Sequence, residues 1–239
     1  MNARYFIVIV LVSGFTAGTI HGAVNLAIVE PYLDEAIEIE NQSLIASGQV
    51  QDTSQFWVEY NSYRDWQKSG QILAGGILGM SIGALFGIVF AYSRNSLPKG
   101  HTVKKTFVLA AIMWVTIFLI PFLKYPANPP TVGDADTVVL RAILYLSFIA
   151  ISGFSAVAFS RLYKKLENKK YLAFVGYAIF ITAVFFIMPP SPDEVTAPMD
   201  LVNGFRTMSV MAVTTFWIAE AIILGMLWQK YKTKLQDTQ

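Results

Sequence analysis

The chain has no cysteine, only two histidines and few charged residues, and each shortage excludes a class of site. Without cysteine there can be no disulfide, thiolate metal site or cysteine nucleophile. His21 and His101 alone cannot build a tight transition-metal site within one chain. Charged residues make up 14% of the 239 residues and hydrophobic residues 54%. A soluble domain carries about 25% charged residues, so we expect lipid to cover much of this surface.

Signatures of enzymes are missing as well. The sequence contains no phosphate-binding G-x-x-x-x-G-K-[ST] loop and no H-E-x-x-H pair. Its one G-x-S-x-G match, Gly79–Gly83, lies inside a predicted membrane span and not between a strand and a helix, so we predict that the protein is not an enzyme. The lysine cluster within residues 164–170 adjoins predicted membrane ends. Lysines at that position bind anionic lipid headgroups, and we expect no nucleic-acid partner.

Long apolar stretches are what the sequence does contain. A bilayer core about 30 Å thick needs about 20 apolar residues in a helix. Six stretches meet this length or come close to it, the fifth being the shortest: Tyr5–Val29, Gly70–Ser93, Lys104–Leu123, Val138–Tyr163, Tyr171–Met188 and Phe205–Trp228. The first is too long for the apolar core of a signal peptide and is predicted to stay as a helix. The expected fold is all-α, one polytopic membrane domain over residues 1–239 with about six transmembrane helices.

The loop charges predict the orientation. The N-terminus, the second and fourth loops and the C-terminal tail hold 13 of the 18 Lys and Arg residues but only two acids, Glu167 and Asp237. The opposite side holds 13 of the 16 acids. Basic loops stay in the cytoplasm, so both termini are predicted to be cytoplasmic in a multi-pass protein of the cell membrane.

The largest external segment, residues 30–69, has an acidic part and an aromatic part. Acids recur from Glu30 to Glu40 beside Leu33 and Ile37, which predicts an amphipathic extension of the first helix, bent at Pro31. The aromatic part runs from Phe56 to Trp66. It predicts a separate helix lying at headgroup level, with a ligand-stacking cage as the alternative.

Small and polar residues mark the packed faces of the spans. Gly14, Gly18 and Gly22 recur every four residues, as do the glycines from Gly75 to Gly87, and such spacing allows close helix packing. His21 and Asn25 project from the same face as the first set. His21 is either a hydrogen-bonded packing residue or a station on a permeation path.

Glu220 is the only acid within a predicted span. Counting 1.5 Å per residue from the cytoplasmic helix ends places it at a depth of about 12 Å and His21 at about 24 Å. The two should therefore be separate stations of a pathway rather than ligands of one ion.

A proline-rich stretch, Lys124–Gly133, reads K-Y-P-A-N-P-P-T-V-G and is followed by Arg141 and Tyr145. It resembles the CbtA family of proposed cobalt transporter subunits, in which a similar stretch precedes an arginine and a helix. The glycine-rich first helix, Pro31 and the acidic segment are also similar to that family. Its A-E-x-x-E-like pattern is matched here by Ala36 and Glu40, whereas Ile37 replaces the acid.

The resemblance implies cobalt import, with Co²⁺ as the transported ion and a small histidine-bearing membrane partner, CbtB, supplying further ligands. No bound cofactor is expected. Co²⁺ accepts imidazole and oxygen ligands, and external acids would concentrate cations through their field. The predicted metal-handling residues are His21, Asn25, Glu30, Asp34, Glu38 and Glu40.

A second set is predicted to line the path or order the external loop: Glu220, Lys124, Asn128, Asp134, Asp136 and Arg141. Arg141 is expected to pair with one of the two neighbouring aspartates. The alternative function is a scaffold, an accessory subunit that carries nothing and serves the packing of a larger membrane complex.

Overall fold

The computed structural model describes residues 2–130, 132–166 and 168–236. Met1, Thr131, Glu167 and residues 237–239, which include the predicted cytoplasmic acids Glu167 and Asp237, lie outside it. About 82% of the chain is helical and the described residues contain no strand. The prediction of an all-α polytopic membrane protein is confirmed.

The helices follow the predicted spans closely. They are α1 Ala3–Ile28, α2 Glu30–Ala46, α3 Ser54–Ser93, α4 Thr102–Met113, a π-helix Trp114–Leu119, α5 Ile120–Lys124, a 3-10 turn Ala135–Thr137, α6 Val138–Lys165, α7 Tyr171–Ile187, α8 Met199–Lys230 and α9 Lys232–Gln236. Five of the described helices are long and apolar enough to cross a membrane, with α4, the π-helix and α5 acting as one. The sixth, α7, has 17 residues and a length of about 26 Å, so the predicted shortest span is confirmed as the shortest.

The aromatic run does not form a separate surface helix, and that prediction is wrong. Residues 54–93 form one continuous helix of 40 residues, about 60 Å long. A helix that crosses the bilayer cannot also lie flat on it, so the aromatic part of α3 extends outward from the membrane as its first turns. Thr53 begins the helix by accepting a 3.2 Å hydrogen bond from Phe56 N.

The first span ends in a helix break next to Pro31, where the sequence predicts a bend. α1 ends at Ile28 and α2 begins at Glu30, with Pro31 in its first turn. Proline is tolerated there because the first N–H groups of a helix have no partner within it. The helix is thus interrupted at Val29, directly before the acidic residues of α2, and the predicted change of direction stays a prediction.

The chain divides into two compact units. Unit 1 comprises residues 1–111, 129–131 and 198–239, and unit 2 comprises residues 112–128 and 132–197. The prediction of a single membrane domain stays a prediction, since both units consist of membrane-length helices or parts of them.

Unit 1 is built around α1, which lies antiparallel to both α3 and α8. A methyl group at Gly79 would lie 2.6 Å from Gly18 Cα, so the α1 and α3 backbones touch where the glycines meet. This contact confirms the packing role predicted for the glycine stripes. On the other side of α1, His21 faces Ala212 and Ser13 faces Glu220.

One end of unit 1 brings together the start of α1, the short helix α9 and several basic side chains. Asn2 N donates to Leu235 O at 3.1 Å, and the Arg94 guanidinium lies 5.5 Å from the Trp228 ring. Lys105 Nζ donates to Arg94 O at 3.0 Å. The start of α1 and the residues of α9 therefore lie on one side, as an even number of crossings requires, and the length of α1 separates this basic end from the acidic segment.

Candidate functional site

An ion-pair cluster joins α2 to the outer part of α3 and consists of Glu30, Asp34, Arg64 and Lys68. It lies on the side predicted to be external and is called the external ion-pair cluster below. Arg64 Nη2 binds Glu30 Oε1 and also Asp34 Oδ1, the latter at 2.8 Å. Lys68 Nζ binds Asp34 Oδ2 at 2.7 Å. Gln71 Nε2 donates to the second Glu30 oxygen at 3.1 Å. Glu30 and Asp34, two of the four carboxylates predicted to handle the metal ion, are thus paired with basic side chains of the chain itself.

Burial separates the two carboxylates. Glu30 and Arg64 are only 5% and 7% exposed, whereas the Asp34 side chain is 40% exposed. Burial by itself would raise the pKa of Asp34, but hydrogen bonds from Lys68 and Arg64 outweigh it and hold that pKa below the ordinary value of 3.8. Asp34 is the carboxylate of the cluster that an incoming cation can reach.

The remaining external acids of the prediction stand apart. Glu38 and Glu40 are exposed on α2, and Glu38 Oε1 accepts a hydrogen bond from Gln42 Nε2 at 3.2 Å. Nowhere in residues 2–130, 132–166 and 168–236 do three or more His, Asp or Glu side chains gather in a way that could hold a metal ion. The described chain therefore concentrates acids at one end without assembling a complete coordination shell.

A polar seam runs along the contact between α1 and α8 and consists of Ser13, His21 and Glu220. His21 Nδ1 lies 2.9 Å from Ala212 O, and its ring packs edge-on to Phe216 at a centroid distance of 6.3 Å. Asn25 lies one turn further outward on α1 and is half-buried. His21 thus has the hydrogen-bond partner that a packed histidine needs, and the ring still carries a second nitrogen for chemistry.

Glu220 lies at the inner part of the seam. Its side chain is fully buried, and Oε1 accepts a 3.1 Å hydrogen bond from Ser13 Oγ. Oε2 is buried without a partner in the described part of the chain. An unpaired acidic oxygen in an apolar interior costs free energy, and an ionisable group inside a membrane span is a candidate for function.

The predicted separation in depth is confirmed. Eight residues separate Ser13 from His21 on α1, and eight separate Ala212 from Glu220 on α8, which corresponds to about 12 Å along either helix. His21 and Glu220 therefore occupy two levels of the same seam and cannot bind one ion together.

In unit 2, the external loop is ordered by a residue that sequence reasoning did not select. Arg141 Nε lies 3.1 Å from Asp193 Oδ1, in the loop between α7 and α8, and Asn128 Nδ2 donates to Asp193 Oδ2 at 3.4 Å. The expected pairing of Arg141 with Asp134 or Asp136 is wrong, because only the backbone oxygen of Asp134 accepts from Arg141, at 3.1 Å. Asp193 side-chain exposure is 5%, so this buried acid holds the arginine instead.

The other loop residues have structural positions. Asp134 Oδ1 accepts from Asp136 N at 2.9 Å and begins the 3-10 turn, while the Asp136 side chain is exposed. Lys124 Nζ lies 5.0 Å from the Phe185 ring centre, within the range of a cation–π contact. These contacts agree with the predicted loop-ordering role and place none of these side chains around a common ion.

The π-helix of unit 2 was also missed. Ile120 N–H bonds Val115 O in the i+5 register, and in that register the next donor would be the N–H that Pro121 lacks. Ser152 Oγ donates to the freed Thr116 O at 2.5 Å, and Tyr177 OH lies 2.8 Å from the same Oγ. Since the Ser152 proton goes to the carbonyl, Tyr177 donates to Ser152, and three helical segments share one polar cluster.

The comparisons with known proteins agree with the sequence resemblance. The model of a family described as "Probable cobalt transporter subunit (CbtA)" matches residues 3–229, nearly the whole chain. No curated protein and no solved structure matches the chain. The name of the family implies partner subunits, and the apolar helices imply contact with lipid. The family match covers nearly the whole chain, and the membrane-length helices agree with it. The chain belongs to the CbtA family of probable cobalt transporter subunits.

Proposed function

We propose that the protein is the membrane subunit through which Co²⁺ enters the cell, and that the ion moves along the seam between α1 and α8. The observation that carries this proposal is the fully buried Glu220, which is hydrogen-bonded through one oxygen to Ser13 and has no partner for the other oxygen among the described residues. Membrane helices rarely keep a buried acid without a role in moving ions or protons.

The external end supports capture of a cation. The exposed acids Glu38 and Glu40 produce a negative field that raises the local cation concentration. Asp34 is partly exposed and already binds the Lys68 ammonium and the Arg64 guanidinium. An arriving Co²⁺ competes with these two cations for Asp34, so binding is weak and exchangeable, as a carrier requires.

The next stations lie deeper. His21 and Asn25 lie nine and five residues below Glu30 on the same chain segment, about 14 Å and 8 Å along a helix. Imidazole and amide oxygen are acceptable ligands for Co²⁺. Glu220 and Ser13 follow about 12 Å further in, before the basic cytoplasmic end.

The ligand shortage argues for a partner. One histidine and scattered oxygens cannot complete a coordination shell for Co²⁺, and the family name already describes a subunit. We propose that a small CbtB-like membrane protein supplies further histidines next to the seam. The complex would reside in the cell membrane with both termini of this chain in the cytoplasm.

The test is uptake of radioactive cobalt by cells that express the chain together with its partner. Glu220→Gln keeps the shape and removes the charge, and His21→Ala removes the imidazole; each should lower the initial uptake rate at least tenfold at equal protein level. His101→Asn is the matched control, because His101 lies in an exposed loop and its Nδ1 accepts from Lys104 N at 3.2 Å, a contact that Asn can keep. Uptake at the wild-type rate in both seam variants would refute the pathway.

The scaffold function remains the second candidate, favoured by the close glycine contact of α1 with α3. It predicts that the chain purifies stably with a large membrane complex and that cobalt uptake does not depend on Glu220.

A further inference from the structure

A cavity of about 270 Å³ opens between α2 and the outer part of α3, next to the external ion-pair cluster. Six of the residues that line it carry the argument: Asp34, Glu38, Asn41, Trp57, Tyr60 and Arg64. Pockets for drug-sized ligands begin at roughly 300 Å³. This cavity therefore suits a molecule of the size of a single amino acid.

Two N–H donors in the wall have no acceptor among the residues that the structure describes. Asn41 is 8% exposed and its Nδ2 is buried without a partner, and the Nε of Arg64 is buried without one as well. A buried donor that lacks its hydrogen bond destabilises the fold, because it has lost its bond to water without gaining another. A ligand that brings acceptor oxygens into the cavity would satisfy the Asn41 amide.

The same wall is acidic and aromatic. Asp34 and Glu38 contribute carboxylates, and the rings of Trp57 and Tyr60 pack edge-on at a centroid distance of 5.8 Å. Carboxylates and aromatic faces attract positive charge. The three acids of the lining, Asp34, Glu38 and Asp65, outnumber its two cations, Arg64 and Lys68. Both cations are already paired with Asp34, so a simple anion would satisfy the amide donor but would meet a wall of net negative charge.

A hydrated cation without an organic ligand matches only the acidic and aromatic part of the wall. Water bound to a metal ion points its hydrogens outward, so it can donate to Asp34 and Glu38 but cannot accept from Asn41 Nδ2. The ligand must carry acceptor oxygens and a positive centre within a few ångströms of each other.

We propose that this cavity binds a carboxylate that stands beside a positive centre, either a free amino acid or a Co²⁺ ion chelated by one. Of the two ligands, only the cobalt chelate rests on the proposed function. If the chelate binds here, Co²⁺ reaches the seam from an amino-acid complex rather than as a hydrated ion. The carboxylate oxygens meet Asn41, and the positive centre meets Asp34, Glu38 and the two rings.

The experiment is calorimetric titration of the purified full-length chain in detergent with Co²⁺ alone, with L-histidine alone and with the Co²⁺–histidine complex. We expect saturable binding of histidine, of the complex, or of both, and weaker binding of Co²⁺ alone. Binding of histidine alone identifies the amino acid as the source of the chemistry, and binding of only the complex identifies the chelate.

Asn41→Asp removes the amide donor and adds a further carboxylate to the acidic wall, so it should weaken binding of the carboxylate ligand at least tenfold. Asn41→Leu removes the donor without adding charge and keeps the test valid if the aspartate variant does not fold. The control is Ser43→Asp, which adds the same charge at an exposed position of α2 and should bind like the wild type.

Two results would overturn the proposal. One is the absence of saturable binding of both histidine and its cobalt complex at millimolar concentration. The other is wild-type affinity for the carboxylate ligand in a folded Asn41 variant. Neither of these binding measurements involves Glu220. Failure of the cavity proposal can therefore be distinguished from failure of the uptake pathway, which is tested by the Glu220 and His21 variants.

Discussion

Ser13 Oγ donates a 3.1 Å hydrogen bond to Glu220 Oε1, and this single contact links the first and last long helices of unit 1 at a fully buried position. Side-chain hydrogen bonds between membrane helices contribute about 0.6 kcal/mol on average and up to about 1.7 kcal/mol. With one Glu220 oxygen unpartnered in the described chain, the Ser13 hydroxyl is the group that fixes the carboxyl in place.

Ser13→Ala should lower the free energy of unfolding by about 1 kcal/mol, because Glu220 then loses the partner of Oε1. The measurement is equilibrium unfolding in mixed detergent micelles. Thr16→Ala is the control: Thr16 is exposed and its Oγ1 bonds Val12 O of its own helix at 2.8 Å, so little change is expected. Equal stability of the two variants would contradict the linking role of Ser13.

Gly79→Ala should destabilise unit 1 by about 1–3 kcal/mol, since the added methyl group would lie 2.6 Å from Gly18 Cα and the helices would have to separate. The matched control is Gly70→Ala in the same helix, where a methyl group meets nothing within 4 Å. That variant should be neutral or gain up to about 1 kcal/mol from helix propensity. Thermal unfolding of both variants checks the pair, and a loss at Gly70 as large as at Gly79 would argue against the close contact.

The lowered pKa of Asp34 predicts how acidic pH affects the external ion-pair cluster. Its pKa is below the ordinary value in the folded chain, so its ion pairs stabilise the fold fully above the unfolded pKa of about 3.9 and lose that contribution as the pH falls through the lower folded pKa. Asp34→Asn should therefore lose less stability than the wild type between pH 5 and pH 3. Glu40→Gln, at an exposed position of α2, should follow the wild-type profile. Parallel acid titrations of all three by circular dichroism would reveal a disagreement.

Ser152→Ala should destabilise unit 2, because Thr116 O then has neither the serine hydroxyl nor a backbone N–H as donor. In a chain that also carries Pro121→Ala, the restored N–H can bond Thr116 O in the i+5 register. The serine change should cost about 1 kcal/mol less in that background. A double-mutant cycle measures the difference, and strictly additive losses would show that Ser152 does not replace the missing proline donor.

The spans were predictable because the bilayer thickness fixes the length of an apolar helix. The sequence placed the ends of α1, α6 and α7 within two residues, and it identified the glycine faces by their spacing of four. The outer part of α3 was missed because Glu59, Arg64 and Asp65 lower its hydropathy, although charged residues of this kind are compatible with a helix that continues into water.

The pairings were not predictable in the same way. Arg64 and Glu30 are 34 residues apart, Arg141 and Asp193 are 52 apart, and nothing local in a single sequence indicates which opposite charges meet. Ser13 carried a weak signal: it lies four residues before Ala17 and eight before His21, on the buried stripe of α1. A hydroxyl on that stripe could have been selected as a partner for the one acid within the spans.

The unbroken length of α3 makes it a stiff rod that serves both ends of unit 1. No proline interrupts residues 54–93, so the outer turns that carry Arg64 and Lys68 move together with the inner turns that touch α1. Under the proposed function, a cation that takes the place of Arg64 at Asp34 would act on the same rigid helix whose inner turns touch Gly18 through Gly75 and Gly79. Ion capture at the outer turns of α3 would then reach α1, the helix that holds His21 and Ser13, through a single continuous element.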